Sequence, residues 1–80
     1  MVDKHGVLGS DLLTLLGSVY KHTGNQKKYQ VVDITWMGEV DEWGIVHREL
    51  FPHEALVTCT RSSSDFFGRL PNGIPRFELA

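Results

Sequence analysis

The stretch YQVVDITWM at residues 29–37 decides the fold of this chain. β-branched and aromatic residues dominate it, and its apolar and polar positions alternate as is typical of a half-buried β-strand. Alternation assigns the side chains to two faces, one with Val32, Ile34 and Trp36 and the other with Tyr29, Val31 and Asp33. We therefore predict a β-strand over these residues.

Further strand candidates flank this stretch, and turn signals such as Asn72-Gly73 separate them. They lie at residues 19–22, 43–50, 55–60 and 75–79. Phe51-Pro52-His53 interrupts the pattern, because proline lacks the N–H that a central strand needs. Five short strands with frequent turns predict a mainly β fold, either a strongly bent antiparallel sheet or a small SH3-like barrel.

One short N-terminal helix is predicted beside the strands. Ser10-Asp11 has the residue types that begin a helix, and leucines at helical spacing follow until Gly17, a stop signal. A helix this short is marginal alone, so its leucines must pack on the sheet. Residues 1–9 before it read as a loose lead-in. Residues 62–67 are consistent with one capped helical turn.

Length and composition limit the class of protein. The 80 residues carry 8 Lys and Arg against 10 Asp and Glu, a formal charge of −2. A chain of this size forms one domain, with 1–18 as lead-in and short helix and 19–79 as the β-rich core. Its near-neutral charge argues against a protein that binds nucleic acid mainly through phosphates.

The single cysteine, Cys59, cannot form an internal disulfide, which favours a cytoplasmic setting. The longest apolar stretch, residues 7–20, is interrupted by polar residues and glycines, so no membrane span is predicted. We expect neither a membrane nor a nucleic acid among the partners of this protein.

Five motifs follow one another in order over residues 19–79. They are Tyr20-Lys21-His22 with Gly24, Tyr29-Gln30-Val31, the strand at 43–50, Arg61 with Phe67, and Gly73 with Pro75-Arg76-Phe77. In this order the chain resembles the small bacterial and phage family called domain of unknown function one-six-five-three. The resemblance implies a compact β-rich fold, a bacterial or phage source and no established enzymatic activity. The Trp-Val-Arg-Pro centre of that family is replaced here by residues 57–62, so ligand contacts made by that centre would differ.

The segment from Thr60 to Ser64 is the first candidate site. It places Arg61 beside several hydroxyls, and a guanidinium with hydroxyl and turn N–H donors is the mixture that recognises phosphate. The candidate ligand-binding residues in it are Thr60, Arg61, Ser62, Ser63 and Ser64. The alternative is a solvated turn in which the serines bond their own backbone and Ser62 or Ser64 caps the helical turn.

Trp36 and Trp43 are the second candidate, because they flank a predicted hairpin loop where an aromatic ring can stack on a nucleobase. In a barrel of this size tryptophan is also a core residue; we favour the core for Trp36 and leave Trp43 open. If the rings lie near the Arg61 segment, the two together form a nucleotide site.

Acidic residues around the same hairpin are the third candidate. Glu39, Asp41 and Glu42, with Glu49 and Glu54, can occupy a basic groove on a partner protein, or they are a solvated hairpin tip. His47, His53 and Cys59 lack the spacing of zinc ligands. No recognisable catalytic motif accompanies Cys59, so we predict no catalytic residue, metal or cofactor.

These observations predict a non-catalytic binding domain, encoded by a bacterium or phage, that holds a phosphorylated, nucleotide-like ligand. A domain too thin to enclose a ligand would complete its site at a subunit interface, so we expect a homo-oligomer. Sequestration of a signalling molecule as an anti-defence protein is one such role. The alternative is a protein-interaction inhibitor or adaptor that uses the acidic hairpin or a sheet edge, and a weaker one is a small hydrolase.

Overall fold

The computed structural model describes residues 1–50 and 58–80. Within them, five strands form one antiparallel sheet in the order β4-β3-β2-β1-β5. The strands are β1 Val19–His22, β2 Lys28–Met37, β3 Glu42–Glu49, β4 Thr58–Ser62 and β5 Phe77–Leu79. Helix α1, Gly9–Leu12, continues into a 3₁₀ turn, Leu13–Leu15, and helix α2, Ser63–Phe66, connects β4 to β5.

The predicted mainly β fold is confirmed. Side chains of the two edge strands meet, as a bent sheet allows: the Arg61 guanidinium on β4 lies 6.0 Å from the centroid of the Phe77 ring on β5. Strand β4 begins at Thr58, and the predicted start of this strand at 55 lies outside the described residues, as does the interruption at Phe51-Pro52-His53.

A β-bulge in β2 corrects the predicted assignment of faces. Val31 pairs with His47, but the next paired residue is Asp33, opposite Val46, so Val32 is an extra residue without a cross-strand partner. The bulge lets both Val31 and Ile34 pack against the core, although strict alternation places them on opposite faces. Val32 itself is exposed.

The core is built around aromatic rings. Phe66 of α2 is fully buried and stacks on Phe77, with 4.2 Å between ring centroids and 10° between planes. His47 is 2% exposed and lies edge-on to both rings. The buried hydrophobic residues are Leu12, Tyr20, Val31, Ile45, Phe66 and Phe77.

Helix α1 begins one residue earlier than predicted, at Gly9, and no side chain caps it. A Cβ at Gly9 would lie 2.6 Å from the indole of Trp43, so this position needs glycine for close packing. Leu12 is buried while Leu13 is exposed, so part of the predicted leucine stripe packs on the sheet. Gly17 ends the segment at φ +85°, as predicted.

The first nine residues are not a loose lead-in. Oδ1 of the buried Asp3 accepts hydrogen bonds from the backbone N–H groups of His5, at 2.8 Å, and Val7, at 2.9 Å. Burial alone would raise the pKa of Asp3, but these hydrogen bonds hold it below its ordinary value. The indole N–H of Trp43 donates to the Val7 carbonyl at 3.2 Å and fixes the segment to β3.

Within the part of the chain that the structure describes, none of the helices is long and apolar enough to cross a membrane.

Candidate anion-binding site

Two arginines converge on one carboxylate at the junction of β4, α2 and β5. Arg61 Nη1 lies 2.8 Å from Asp65 Oδ2, and Arg76 Nη2 lies 3.4 Å from Asp65 Oδ1. The exposed fractions of the side chains are 34% for Arg61, 43% for Asp65 and 21% for Arg76. We call these three residues the arginine cluster. It contains two cations and one anion, and solvent reaches all three side chains.

The fold positions each member of the cluster. Arg61 lies on β4 with its guanidinium near the Phe77 ring, which favours a cation. Asp65 follows four residues later on α2, and its carboxylate accepts a hydrogen bond from Arg61 across the junction of β4 and α2. The backbone of Arg76 is fixed before β5, because its N–H donates to Gly68 and its carbonyl accepts from Thr23, both at 2.9 Å.

Two histidines adjoin the cluster, and both have a pKa below the ordinary value. Nδ1 of His22 accepts the backbone N–H groups of Gly24, at 3.1 Å, and Asn25, at 3.2 Å, so that nitrogen carries no proton. Burial, and then the positive charges of Arg61 and Arg76, lower the pKa of His22. Burial is also the main cause that lowers the pKa of His47. The positive charge of the site therefore comes from the arginines.

The serine segment contains the cap that the solvated-turn alternative expects of Ser62, but Ser63 is buried and not solvated. Ser62 caps α2, since its Oγ accepts the N–H of Asp65 at 3.3 Å. Ser63 is buried, and the N–H of Ser64 donates to Oε1 of Glu42 at 3.2 Å. Thr60 alternates with Arg61 along β4 and its side chain lies on the opposite face of the sheet, near Gly44. Arg61 is thus the member of the predicted set that belongs to the arginine cluster.

The two tryptophans lie elsewhere. They are half-buried and edge-on to each other, with 5.0 Å between ring centroids. Trp43, not the favoured Trp36, packs against the buried core cluster. Trp43 also lines an open groove of about 260 Å³, which we call the tryptophan groove. Its lining residues are Met1, Gly9, Ser10, Leu13, Ile34 and Trp43. No residue of the 60–64 segment lines it, so the predicted combination of aromatic wall and serine loop is not formed there.

A second open groove, of about 240 Å³, lies between the N-terminal segment and α2. We call it the phenylalanine groove, because Phe67 forms one wall and is 51% exposed. Its lining residues are His5, Val7, Leu12, Ser63, Ser64 and Phe67. Two predicted ligand-binding residues, Ser63 and Ser64, therefore contribute to this groove and not to the tryptophan groove.

The acidic hairpin is only partly exposed. Glu39 and Asp41 are exposed, but Glu42 is buried, which corrects its assignment to a surface patch. The Glu42 carboxylate lies 3.4 Å from Nε2 of His5 and 3.7 Å from Nζ of Lys4. The hydrogen bond from the Ser64 hydroxyl is the main cause that lowers the pKa of Glu42. Glu42 thus joins the N-terminal segment to α2.

The remaining candidates give no metal-binding cluster in the residues described. Glu49 is buried and pairs with Lys27 at 3.4 Å. His47 and Cys59 are opposite each other on β3 and β4. Glu54 and His53 lie outside the described residues. Across residues 1–50 and 58–80, no three or more His, Cys, Asp or Glu side chains are placed to hold a metal ion.

Sequence reasoning missed Asp65 and Arg76 as site residues, and of the two only Asp65 could have been expected from its local spacing to Arg61. Asp65 stands four residues after Arg61, and Arg76 lies within the Pro-Arg-Phe motif. Searches of known protein families, of curated protein sequences and of solved structures find no match for this chain.

Proposed function

We propose that this chain is a non-catalytic binding domain for a small phosphorylated molecule, and that Arg61 and Arg76 hold the phosphate. The observation that carries the proposal is the Asp65 carboxylate, which is half-exposed and contacts both guanidiniums. An anion already occupies the space between two planar donor groups. A phosphate has the same preference for guanidinium forks and carries more negative charge, so it can displace the carboxylate.

A small ligand suits this cluster better than a polyanion does. The chain carries a formal charge of −2, and the cluster offers one positive charge in excess. A nucleic acid would need a continuous basic surface to replace its counterions. The cluster also lies on the surface of a thin domain, and a second copy would shield the bound ligand from water. We therefore propose a homo-oligomer that sequesters a nucleotide-like molecule in the cytoplasm of a bacterium or an infected host.

Calorimetric titration with inorganic phosphate and with nucleoside monophosphates tests this proposal. We expect Arg61→Gln and Arg76→Gln each to weaken binding at least about tenfold, since a charged hydrogen bond contributes about 1.5–3 kcal/mol. Asp65→Asn should strengthen binding, because it removes the competing carboxylate and keeps the side-chain shape.

Arg48→Gln is the matched control, because Arg48 is exposed and its Nε contacts the Thr58 hydroxyl, at 3.3 Å, on the neighbouring strand. An equal loss in Arg48→Gln would mean that net charge, and not the cluster, sets the affinity. If no phosphorylated compound binds the wild-type protein, the proposal is wrong.

A sheet edge supports the alternative function, a protein-interaction domain. Among the described strands, β4 pairs only with β3, and a strand from a partner could pair with its other side. Because Glu42 is buried, only Glu39 and Asp41 of the predicted acidic hairpin are exposed to a partner protein. The protein-interaction alternative predicts that Glu39→Lys abolishes binding of the partner protein, whereas Arg61→Gln has no effect on that binding.

A further inference from the structure

The Asp65 carboxylate satisfies only one of the two guanidiniums in the arginine cluster. Arg61 Nη1 donates a hydrogen bond to Oδ2 of Asp65 at 2.8 Å. Arg76 Nη2 lies 3.4 Å from Oδ1, which is longer than the usual charged hydrogen bond of about 2.7–2.9 Å. Arg76 Nε is buried, and no atom of the described residues accepts a hydrogen bond from it. Arg76 therefore keeps unused donors beside a carboxylate that it shares with Arg61.

The two nitrogens that Asp65 leaves without a good acceptor belong to one edge of the Arg76 guanidinium. Nε–H and one Nη2–H point in the same direction along this edge, and together they bind two oxygens of one anion as a fork. Asp65 cannot bring both of its oxygens to the fork, because Arg61 holds Oδ2. An unpaired buried donor is unfavourable, so an anion with more free oxygens than a carboxylate has an advantage at this edge.

The backbone around Arg76 holds the fork in place. Its N–H donates to the Gly68 carbonyl, and its own carbonyl accepts the N–H of Thr23, both at 2.9 Å, and the Thr23 hydroxyl at 3.2 Å. The Arg76 side chain is 21% exposed, against 43% for Asp65. The carboxylate can therefore turn towards solvent while the guanidinium stays in position. A ligand that takes the place of the carboxylate reaches Nε and Nη2 together, because both face the same way.

We infer that the arginine cluster selects a terminal phosphate group, as in a phosphate monoester, over a phosphodiester, and that the Nε–Nη2 edge of Arg76 determines this selection. The inference rests on the proposed function and names its ligand class. Two phosphate oxygens fill the fork of Arg76, and a third accepts from Arg61 Nη1 in place of Asp65. A monoester has three unesterified oxygens, whereas a diester has two and leaves one arginine without an acceptor.

NMR titrations of the full chain with methyl phosphate, dimethyl phosphate and methyl sulfate test the selection. Methyl phosphate should bind about as tightly as inorganic phosphate, and dimethyl phosphate at least about tenfold more weakly, since it loses a charged hydrogen bond. Methyl sulfate separates the number of oxygens from the charge, because it carries the single charge of dimethyl phosphate but has three free oxygens. It should bind more tightly than dimethyl phosphate. The Nε–H signal of Arg76 should shift with methyl phosphate and change little with dimethyl phosphate.

Lysine variants test the role of the Arg76 edge, because an ammonium keeps the positive charge and lacks the fork. Arg76→Lys should weaken methyl phosphate binding at least about tenfold and bring its affinity close to that of dimethyl phosphate. Arg61→Lys should cost only about threefold, since one nitrogen of Arg61 makes the contact. Arg48→Lys is the matched control on β3 and should change neither affinity. The ratio of the two affinities within one variant separates a lost fork from a general loss of structure.

The outcomes distinguish this inference from the proposed function. If phosphate binds and dimethyl phosphate binds as tightly as methyl phosphate, the inference is wrong while the proposed function stands. The same holds if methyl sulfate binds no tighter than dimethyl phosphate, or if Arg61→Lys costs more than Arg76→Lys. If no phosphate compound binds, both are wrong.

Discussion

The tryptophan groove and the phenylalanine groove flank the same N-terminal segment and have similar volumes, about 260 and 240 Å³. Their aromatic residues differ in what they already contact. The indole N–H of Trp43 donates to Val7, and its ring packs against Gly9 and the core cluster. Phe67 is half-exposed and directly follows α2, whose Asp65 contacts Arg61 on β4 and Arg76 before β5. Groove size does not distinguish the two sites; the contacts of the aromatic side chain and its charged neighbours do.

Phe66 and Phe67 give the sharpest form of this comparison, because they are consecutive residues of which one is core and the other is surface. Phe66 is fully buried and stacks on Phe77, so Phe66→Ala should lower the free energy of unfolding by about 3–5 kcal/mol. Phe67→Ala should lower it by less than about 1.5 kcal/mol, since half of its side chain is already in water. Urea unfolding followed by tryptophan fluorescence measures both changes. Equal losses would show that Phe67 is a structural residue and would remove the contrast between the grooves.

Gly9→Ala tests whether the wall of the tryptophan groove is tightly packed. The added Cβ would approach three atoms of the Trp43 ring at 2.6 to 2.9 Å, and the hydrogen bond to Val7 restrains that ring. Overpacking of this kind costs about 1–3 kcal/mol. Gly38→Ala is the control, because its Cβ would meet only Trp36, at 3.8 Å. If the two variants unfold at the same urea concentration, the segment is not held against Trp43.

The positions of the strands and of α2 could be predicted from local sequence patterns. The bulge, the N-terminal segment and the arginine cluster depend on contacts between residues that are distant in sequence. Alternation located β2, but no residue type marks Val32 as a bulge; the pairing of Val31 with His47 and of Asp33 with Val46 creates it. The order of residues 1–8 depends on Trp43 and Glu42, which are distant in sequence. The pairing of Arg61 with Asp65 is local and was readable, whereas Arg76 reaches Asp65 only because β5 returns to β1.

Glu42→Gln tests how the phenylalanine groove is held. Glutamine keeps the shape of the side chain and one acceptor oxygen, but it loses the ion pair with Lys4 and the charged hydrogen bond from Ser64. The free energy of unfolding should fall by about 1–2 kcal/mol. Hydrogen exchange should become faster at Val7 more than at Val31, which lies in the sheet. Glu39→Gln, at an exposed site on the hairpin, should change neither quantity; a similar loss there would assign the effect to net charge.

Protonation of His22, which lies near the arginine cluster, should have the smallest effect on the free energy of unfolding. The pKa of His22 lies below its ordinary value of 6.5 because burial and the two arginines favour the neutral ring. Between its folded pKa and 6.5 the unfolded chain therefore binds more protons, so stability is full above pH 6.5 and falls as the pH drops through that window. His47 shifts in the same direction and adds to the fall. The lowered pKa values of Asp3 and Glu42 extend it at more acidic pH, below their ordinary values of 3.8 and 4.5.

His22→Asn isolates the contribution of His22, because an amide oxygen can accept the hydrogen bonds of Gly24 and Asn25 without titrating. Urea midpoints measured from pH 7.5 to 5 should fall less steeply in this variant than in the wild type, with the remaining slope due to His47. His22 lines neither the phenylalanine groove nor the tryptophan groove, so its titration should leave the difference in packing between Phe67 and Trp43 unchanged in that range. An unchanged slope would place the acid sensitivity in His47 alone and would mean that the arginines leave His22 unaffected.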